Sequence, residues 1–211
     1  MSVILAKGGN VSLTKLAPNR LAHASAAAGW DVNQGRGPAL DLDLTATGVA
    51  ADGKAPTHDD PTDRGWQEWL VCANHRYDAA RSTVFTGDNR TGAGEGDDEI
   101  INVDLTRVPD YIERIIFSVV IWRAKERGQT FGNVQNAFIR IFDTETGEEF
   151  VRFDLGKEFA DNTLVVFGEL YRRGSEWKFR AIGQGYDDAA DFRREYGIRY
   201  AFEHEYARYR F

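Results

Sequence analysis

The sequence predicts an all-β protein, an antiparallel β-sandwich with short helices and a C-terminal helical extension. Short apolar runs follow one another along the chain and are separated by glycine-containing turns, as strands are in a sandwich. Several of these runs alternate apolar and polar residues, and helical periodicity is almost absent. With 211 residues, of which 42% are hydrophobic, the chain is long enough to form the core of one such domain.

The N-terminal part of the chain contains short predicted strands. Residues 3–5 and 11–13 are two strands joined by a glycine turn. Residues 21–29 are alanine-rich but lack helix-like periodicity, so we predict a strand there as well. Residues 58–66 have the composition of a polar surface insertion.

Residues 40–45 alternate strictly between apolar and polar side chains, which predicts a half-buried strand. Its leucines face the core, so Asp41 and Asp43 share the opposite face, about 7 Å apart. Two carboxylates in this arrangement can flank one ion or contribute to two neighbouring ions. The alternative is an ordinary polar face. The Asp-x-Asp-x-Thr spacing also suits an aspartyl-phosphate phosphatase, but such enzymes need a parallel α/β sheet, which this sequence does not predict.

The middle of the chain supplies further strands and one short helix. The helix is predicted over residues 108–114, with Thr106 as its N-cap and a proline near its first turn. The strands are predicted at residues 69–73, 82–85, 101–105, 115–122, 137–142, 149–153, 164–171 and 177–183. The last two form a hairpin around residues 173–175.

Residues 187–211 differ in composition and are predicted to extend the domain formed by residues 1–186. Residues 187–196 read as a helix, with acids in the first turn and arginines later, which suits the helix dipole. Phe192, Tyr196 and Tyr200 then repeat every four residues. Arginines interleaved with aromatics could dock a partner by stacking. We expect the stripe to pack on its own domain, because aromatic area anchors a terminal helix.

The glycine-rich and acid-rich stretch at residues 87–99 is the most distinctive segment. Ca²⁺ takes about six to eight oxygen ligands from carboxylates, amides and backbone carbonyls, and this stretch supplies all three. It is not an EF-hand, since Ala93 replaces the required glycine. It is not a phosphate-binding loop either, because the lysine is missing and the carboxylates would repel phosphate. The alternative is a solvated acidic turn.

Composition narrows the classes of function. A net charge of −7 argues against general nucleic-acid or anionic-membrane binding and favours cations. Cys72 is the only cysteine, so an internal disulfide and a thiolate-rich zinc site are excluded. The four histidines show no ligand spacing. The initial apolar run is too short for a signal peptide and no segment suits a membrane span, so we expect a cytoplasmic protein.

Seven sequence blocks, in order from residue 3 to about residue 186, match the pattern of one known family. They lie at residues 5–13, 29–31, 40–43, 86–99, 127–132, 136–140, and 167–172 with 176–185. With these blocks in view, the chain resembles the TerD tellurium-resistance family of bacterial stress proteins. The segment at 58–66 and the tail after Asp187 depart from that pattern, so they predict a partner or an oligomeric contact particular to this chain.

The resemblance implies a β-sandwich that binds two or more Ca²⁺ ions through acidic loops at one end. The family is tied to tellurite resistance and to wider stress or phage-defence operons. Carried onto this chain, the implied ligands are Asp41, Asp43, Asp88, Asn89, Asp97, Asp98 and Glu99, with Asp31 and Glu95 as secondary candidates. The implied partners are other stress-response or tellurium-resistance proteins, including partners at the inner membrane surface. A homo-oligomer formed through the C-terminal tail is also expected, and nucleic acid is not.

The leading functional hypothesis is therefore a non-enzymatic calcium-binding module of a stress response. Cation-dependent stabilisation and partner binding would be its mode of action. One alternative is a metal-dependent phosphoester hydrolase in which Asp41 and Asp43 hold Mg²⁺ or Mn²⁺. No clear general base is present besides the ligands themselves. The other alternative is a scaffold that self-associates through its tail.

Overall fold

Two six-stranded sheets form the body of the molecule, as the predicted sandwich requires. The computed structural model describes residues 3–17, 21–32, 37–56 and 68–199. Their strands are β1 (Val3–Ile4), β2 (Asn10–Ser12), β3 (His23–Gly29), β4 (Leu42–Val49), β5 (Leu70–Val71), β6 (Thr83–Phe85), β7 (Glu99–Asp104), β8 (Arg114–Ile121), β9 (Phe138–Asp143), β10 (Glu149–Asp154), β11 (Leu164–Arg173) and β12 (Glu176–Tyr186). Short helices are α1 (Leu13–Leu16), α2 (Ala124–Arg127) and α3 (Ala189–Tyr196), with 3₁₀ turns at Phe131–Asn133 and Lys157–Phe159.

The strand order places distant segments side by side. The first sheet has the order β1-β10-β9-β3-β7-β6, and the second has the order β2-β12-β11-β8-β4-β5. Neighbouring strands are antiparallel except β1 and β10, which pair in parallel. β4 and β7 belong to different sheets but contact each other across the sandwich. Residues at the beginnings of these two strands therefore lie close together.

The main core lies between the two sheets. In the first sheet, β3 contributes small side chains, and its neighbours supply volume, since Ala26 is in register with both Ile101 and Ile141. In the second sheet, the leucines of residues 40–44 face this core, as their alternation predicts, and all are almost fully buried. Burial of such apolar area is the dominant stabilising term of the fold.

A second hydrophobic cluster covers the outer face of the second sheet. Ile116, Val120, Leu164 and Val166 lie on this face and are buried beneath α3 and neighbouring loops. Their strands are therefore apolar on both faces. Among the described residues, no helix is long and apolar enough to cross a bilayer.

The two predicted N-terminal strands are present, and they pair in different sheets: β1 pairs with β10 in the first sheet and β2 pairs with β12 in the second. The helix predicted at 108–114 is wrong. Those residues form turns, and β8 already begins at Arg114, in register with Val49 and Tyr171. A segment of seven residues forms too few helical hydrogen bonds to offset the cost of nucleating a helix.

The predicted C-terminal helix is present as α3, with the Asp188 side chain accepting a hydrogen bond from the backbone N–H of Ala190 at 2.8 Å. Its first-turn acid and last-turn arginines follow the predicted charge order. Phe192 and Tyr196 are both buried. The predicted insertion at 58–66 and the aromatic repeats from Tyr200 onward lie outside the described residues, and the division of the chain at residue 186 stays a prediction.

Candidate metal centre

Asp41 and Asp43 lie where the chain enters β4. The backbone carbonyl of Asp41 accepts a hydrogen bond from the N–H of Trp122 at 2.8 Å, which ties this segment to the end of β8. Both aspartates are buried, with exposures of only 5% and 6%. The alternation of residues 40–45 thus places the leucines correctly, but the opposite face of the strand is not an ordinary solvent-exposed polar face.

Asp88, from the acid-rich stretch, completes a three-carboxylate cluster with Asp41 and Asp43. One carboxylate oxygen from each residue lies within 4.8 Å of the other two. Asp88 itself is exposed and also forms an ion pair with Arg90 at 3.4 Å. Carboxylates at this separation can share one cation, and without a cation their negative charges repel one another.

Glu99 adds a fourth carboxylate at the start of β7. Its side chain is completely buried, and its Oε2 accepts a hydrogen bond from the backbone N–H of Leu44 at 2.5 Å. Its Oε1 has no hydrogen-bond partner among the described residues. Burial raises the pKa of Glu99 well above its usual range, and the negative charge of Asp43 raises it further, followed by smaller effects of Asp88 and Asp41. Glu99 therefore lies within electrostatic range of all three aspartates.

The side chains at this centre suit a hard cation. Carboxylate oxygens are the ligands that Ca²⁺ and Mg²⁺ prefer, whereas zinc and softer metals favour nitrogen and sulfur. Cys72 lies near Asp43 and Glu99, but burial raises the pKa of its thiol to about 12. A protonated thiol is a poor metal ligand, because the thiolate is the binding form.

The remaining predicted ligands have other partners in the structure. Asp97 forms a bidentate ion pair with Arg140, with N–O distances of 2.8 Å and 2.6 Å. Asp98 accepts hydrogen bonds from the Trp30 backbone N–H at 2.8 Å and from the Asn89 amide. Burial raises the pKa of Asp98, and the charge of Asp97 adds to this effect.

The secondary candidates also lie apart from the three-aspartate cluster. Asp31 accepts a hydrogen bond from the Asn136 amide at 2.6 Å, and Glu95 is exposed to solvent. The structure thus brings together Asp41, Asp43 and Asp88, with Glu99 beside them. The assignment of Asn89, Asp97, Asp98, Asp31 and Glu95 as ligands stays a prediction.

Close packing against β3 and Trp30 sets the course of the acidic loop. Gly92 has a φ of +67°, and a Cβ at this position would lie 2.6 Å from the Trp30 ring. A Cβ on Gly29 would overlap the carbonyl oxygen of Gly96 and the ring of Phe138. Glycine is required at such close approaches, since any side chain would push the loop away. The glycine-rich composition of the stretch was the sequence signal for this packing.

Sequence reasoning missed the groups that hold these carboxylates in place. Arg140 lies in β9, 43 residues beyond Asp97. The two side chains meet because β9 and β7, which Asp97 precedes, both flank β3 in the first sheet. The backbone N–H of Leu44 reaches Glu99 across 55 residues. No spacing rule within the chain links these positions, so only the strand order shows that they meet.

The fold and the centre define a class of protein: a β-sandwich with a cluster of partly buried carboxylates where its two sheets meet at one end. Comparison with known proteins gives the family. The family model of the TerD domain matches residues 1–192, and the chain belongs to this family. The predicted family is thereby confirmed.

Relatives named for tellurium resistance and for stress responses match nearly the whole chain. The chain is 42% identical over 199 residues to the tellurium resistance protein TerD of Serratia marcescens, covering 94% of this chain and 98% of that protein. It is 41% identical over 201 residues to the general stress protein 16U of Bacillus subtilis, covering 94% and 99%. The crystal structure of a homologue of telluride resistance protein (TerD) from Streptomyces coelicolor superposes with a TM-score of 0.64 at 25% identity, covering 80% of this chain and 92% of that one.

Proposed function

We propose that this protein is a calcium-binding member of the tellurium-resistance and stress-response family, acting by cation-dependent stabilisation and partner binding, without catalysis. The observation that carries the proposal is the approach of Asp41, Asp43 and Asp88 to within 4.8 Å, beside the buried Glu99. A cation placed among them would offset their mutual repulsion. It could also be coordinated by Oε1 of Glu99, which has no hydrogen-bond partner among the described residues.

The position of the centre explains how a cation would act on the whole fold. Asp43 belongs to β4 in the second sheet, Glu99 belongs to β7 in the first sheet, and Asp88 comes from the loop before β7. An ion held by all three would join the two sheets and the loop at one end of the sandwich. Because the unfolded chain lacks this arrangement, binding stabilises the folded state by mass action.

The oxygen-rich centre favours Ca²⁺ over Mg²⁺ for a geometric reason. Ca²⁺ accepts irregular sets of about six to eight oxygens, whereas Mg²⁺ demands near-octahedral geometry and retains several waters. An irregular, glycine-rich loop meeting a strand supplies oxygens in an irregular arrangement, which suits the less demanding ion. We place the protein in the cytoplasm, with other tellurium-resistance and stress-response proteins as its partners. Self-association through residues 187–211 remains an expectation from the sequence.

The decisive experiment measures calcium binding by calorimetry and thermal unfolding in calcium and in chelator. At a free calcium concentration of one hundred times Kd, we expect about 2.7 kcal/mol of stabilisation, or a rise in Tm of about 5–10 °C. Asp43→Asn should abolish most of this rise. Asp97→Asn should retain a larger calcium-induced rise in Tm than Asp43→Asn does, because Arg140 already neutralises the Asp97 carboxylate.

Asp110→Asn is the matched control. Asp110 is fully exposed in the turn between β7 and β8, which lies at the opposite end of β7 from Glu99. This variant should respond to calcium as the unmodified protein does. An unmodified protein whose Tm is the same in millimolar calcium and in chelator would refute the proposal. Phosphoester turnover that disappears in Asp43→Asn would replace it with a hydrolase.

A further inference from the structure

A shallow polar cavity, wide open to solvent and separate from the carboxylate centre, lies on the outer face of the second sheet beside the C-terminal end of α3. It has a volume of about 360 Å³. The polar side chains that line it belong to Lys7, Arg114, Glu169, Arg180, Gln184 and Tyr196. These residues come from the N-terminal segment, three adjacent strands and α3, so the cavity exists only in the folded domain.

Glu169 organises the floor of this cavity. Its side chain is only 2% exposed, and its two oxygens lie 2.5 Å from Nη2 of Arg180 and 3.5 Å from Nη1 of Arg114. The buried carboxylate therefore holds two guanidinium groups in place on neighbouring strands. Each guanidinium has five N–H donors, and the ion pairs with Glu169 use only part of that capacity. Both arginine side chains remain partly exposed, with 30% exposure for Arg114 and 47% for Arg180.

The cavity is positively charged within an acidic protein. Lys7, Arg114 and Arg180 contribute three positive charges and Glu169 contributes one negative charge, so its lining carries a net charge of +2. The whole chain carries −7. A concave surface with a net positive charge attracts ions of the opposite sign.

A second group of cations extends this field around the end of α3. A neighbouring cavity is lined by Lys54, Arg193, Arg194 and Arg199, with Asp52 as the one acidic residue among its described lining. The carboxylate centre is remote from both. Arg114 begins β8, whereas Ile121 at the other end of the strand pairs with Leu42. Seven residues of strand span about 23 Å, which exceeds two Debye lengths at physiological salt.

We propose that the cavity around Arg114 and Arg180 binds a compact oxyanion of the phosphate class. Oriented guanidinium groups match the oxygens of such an anion and form charge-assisted hydrogen bonds with it. The exposed large apolar side chains of the described residues are Val32, Tyr77, Val84 and Tyr111, and none lines the cavity. The one aromatic side chain in its described lining, Tyr196, is buried, so the surface offers neither an exposed ring for base stacking nor an apolar anchor for a bilayer. The phosphate could belong to a soluble molecule or to a lipid headgroup.

The test titrates the full chain with inorganic phosphate and with pyrophosphate, by calorimetry in chelator. The chelator prevents a bridging cation from recruiting phosphate to the carboxylate centre. We expect binding that weakens with added salt and that falls about tenfold or more in Arg180→Gln. Lys7→Gln should weaken it as well, and this variant leaves the ion pairs of the buried Glu169 intact. Sedimentation with phosphatidylglycerol vesicles, compared with phosphatidylcholine vesicles, tests the lipid source in parallel.

Arg152→Gln is the matched control, since Arg152 is a partly exposed, ion-paired arginine on the other sheet. It should bind phosphate as the unmodified protein does. The inference is overturned if neither phosphate, pyrophosphate nor phosphatidylglycerol binds, or if Arg180→Gln and Lys7→Gln both bind unchanged. Binding of the soluble anions alone assigns the cavity to a soluble ligand, and Arg180-dependent binding of the vesicles assigns it to a headgroup. Because calcium is absent throughout, these outcomes are independent of the proposed function.

Discussion

At the scale of single residues, Glu99 shows most directly how this protein couples charge to folding. Its carboxylate is fully buried, and only Oε2 has a hydrogen-bond donor among the described residues. Burial and the neighbouring aspartates raise its pKa, so the folded protein without a cation disfavours the charged form. A bound cation would reverse that preference. Under the proposed function, Glu99 would link pH, cation binding and stability in one side chain.

This raised pKa predicts how stability depends on pH in chelator. Glu99 releases its proton near 4.5 in the unfolded chain, but at higher pH in the folded one. Between those two values the unfolded chain binds fewer protons, so the free energy of unfolding falls as pH rises from about 4.5 through the raised pKa. Glu99→Gln removes this titration and should make the fall shallower. The measurement is chemical denaturation at a series of pH values.

Glu145→Gln provides the same chemical change at a side chain that is 71% exposed, and its pH profile should match that of the unmodified protein. In saturating calcium the pH dependence of the unmodified protein should flatten, because the cation favours the charged carboxylate. Parallel profiles for Glu99→Gln and the unmodified protein in chelator would contradict this account of the buried side chain.

At the scale of elements, the contact between β3 and the acidic loop determines whether the carboxylates are in position. Gly29 ends β3 against the carbonyl of Gly96 and the ring of Phe138. Gly29→Ala should therefore displace the loop, lower the free energy of unfolding by about 1–3 kcal/mol and weaken calcium binding. Chemical denaturation and calorimetric titration measure the two effects separately.

Gly87→Ala is the control for this element, because its added Cβ would meet no atom within 4 Å. Gly87 lies in the acidic loop itself. The Gly87→Ala variant therefore shows the effect of replacing a glycine there without creating a close contact. We expect near-native stability and affinity. If Gly29→Ala behaved like Gly87→Ala, the packing of β3 would not position the loop.

At the scale of the whole molecule, α3 acts as a cover for the second sheet. Phe192 is completely buried in the outer hydrophobic cluster, where its ring lies 5.7 Å from that of Tyr186 and 5.0 Å from that of Tyr196. Truncating such a side chain removes transfer free energy and leaves a cavity. Phe192→Ala should therefore lower the free energy of unfolding by about 3–5 kcal/mol in a denaturant titration.

Arg194→Ala, on the exposed side of α3, is the matched helix variant and should change stability little, because its ion pair with Asp191 is exposed. Calcium affinity should be nearly normal in both variants, since α3 does not contribute to the carboxylate centre. An equal loss of stability in the two variants would show that α3 contributes no more through its buried face than through its exposed one.

Local patterns in the sequence determined the fold class, most of the strands and the composition of the centre. The alternation at residues 40–45 predicted which side chains face the core, and the acid-rich stretch at 87–99 predicted where carboxylates would gather. The first inference succeeds because strand periodicity is a property of adjacent residues. The second stays a prediction for the ligand set, although Asp88 of that stretch does meet Asp41 and Asp43. Strand partners are of the opposite kind, because they come from distant segments. The two N-terminal strands pair in different sheets, and turns replace the helix predicted at 108–114.

Only the tertiary structure decided which carboxylates meet. Asp97 and Asp88 belong to one acidic stretch, yet Asp97 pairs with Arg140 while Asp88 joins Asp41 and Asp43. The burial of Asp43, the backbone partner of Glu99 and the pairing of Arg114 with Glu169 likewise depend on strand order. The alternation of side chains along a strand determines the face on which each one lies. The side chains beside it on that face come from segments dozens of residues away, and no local pattern encodes which segments those are.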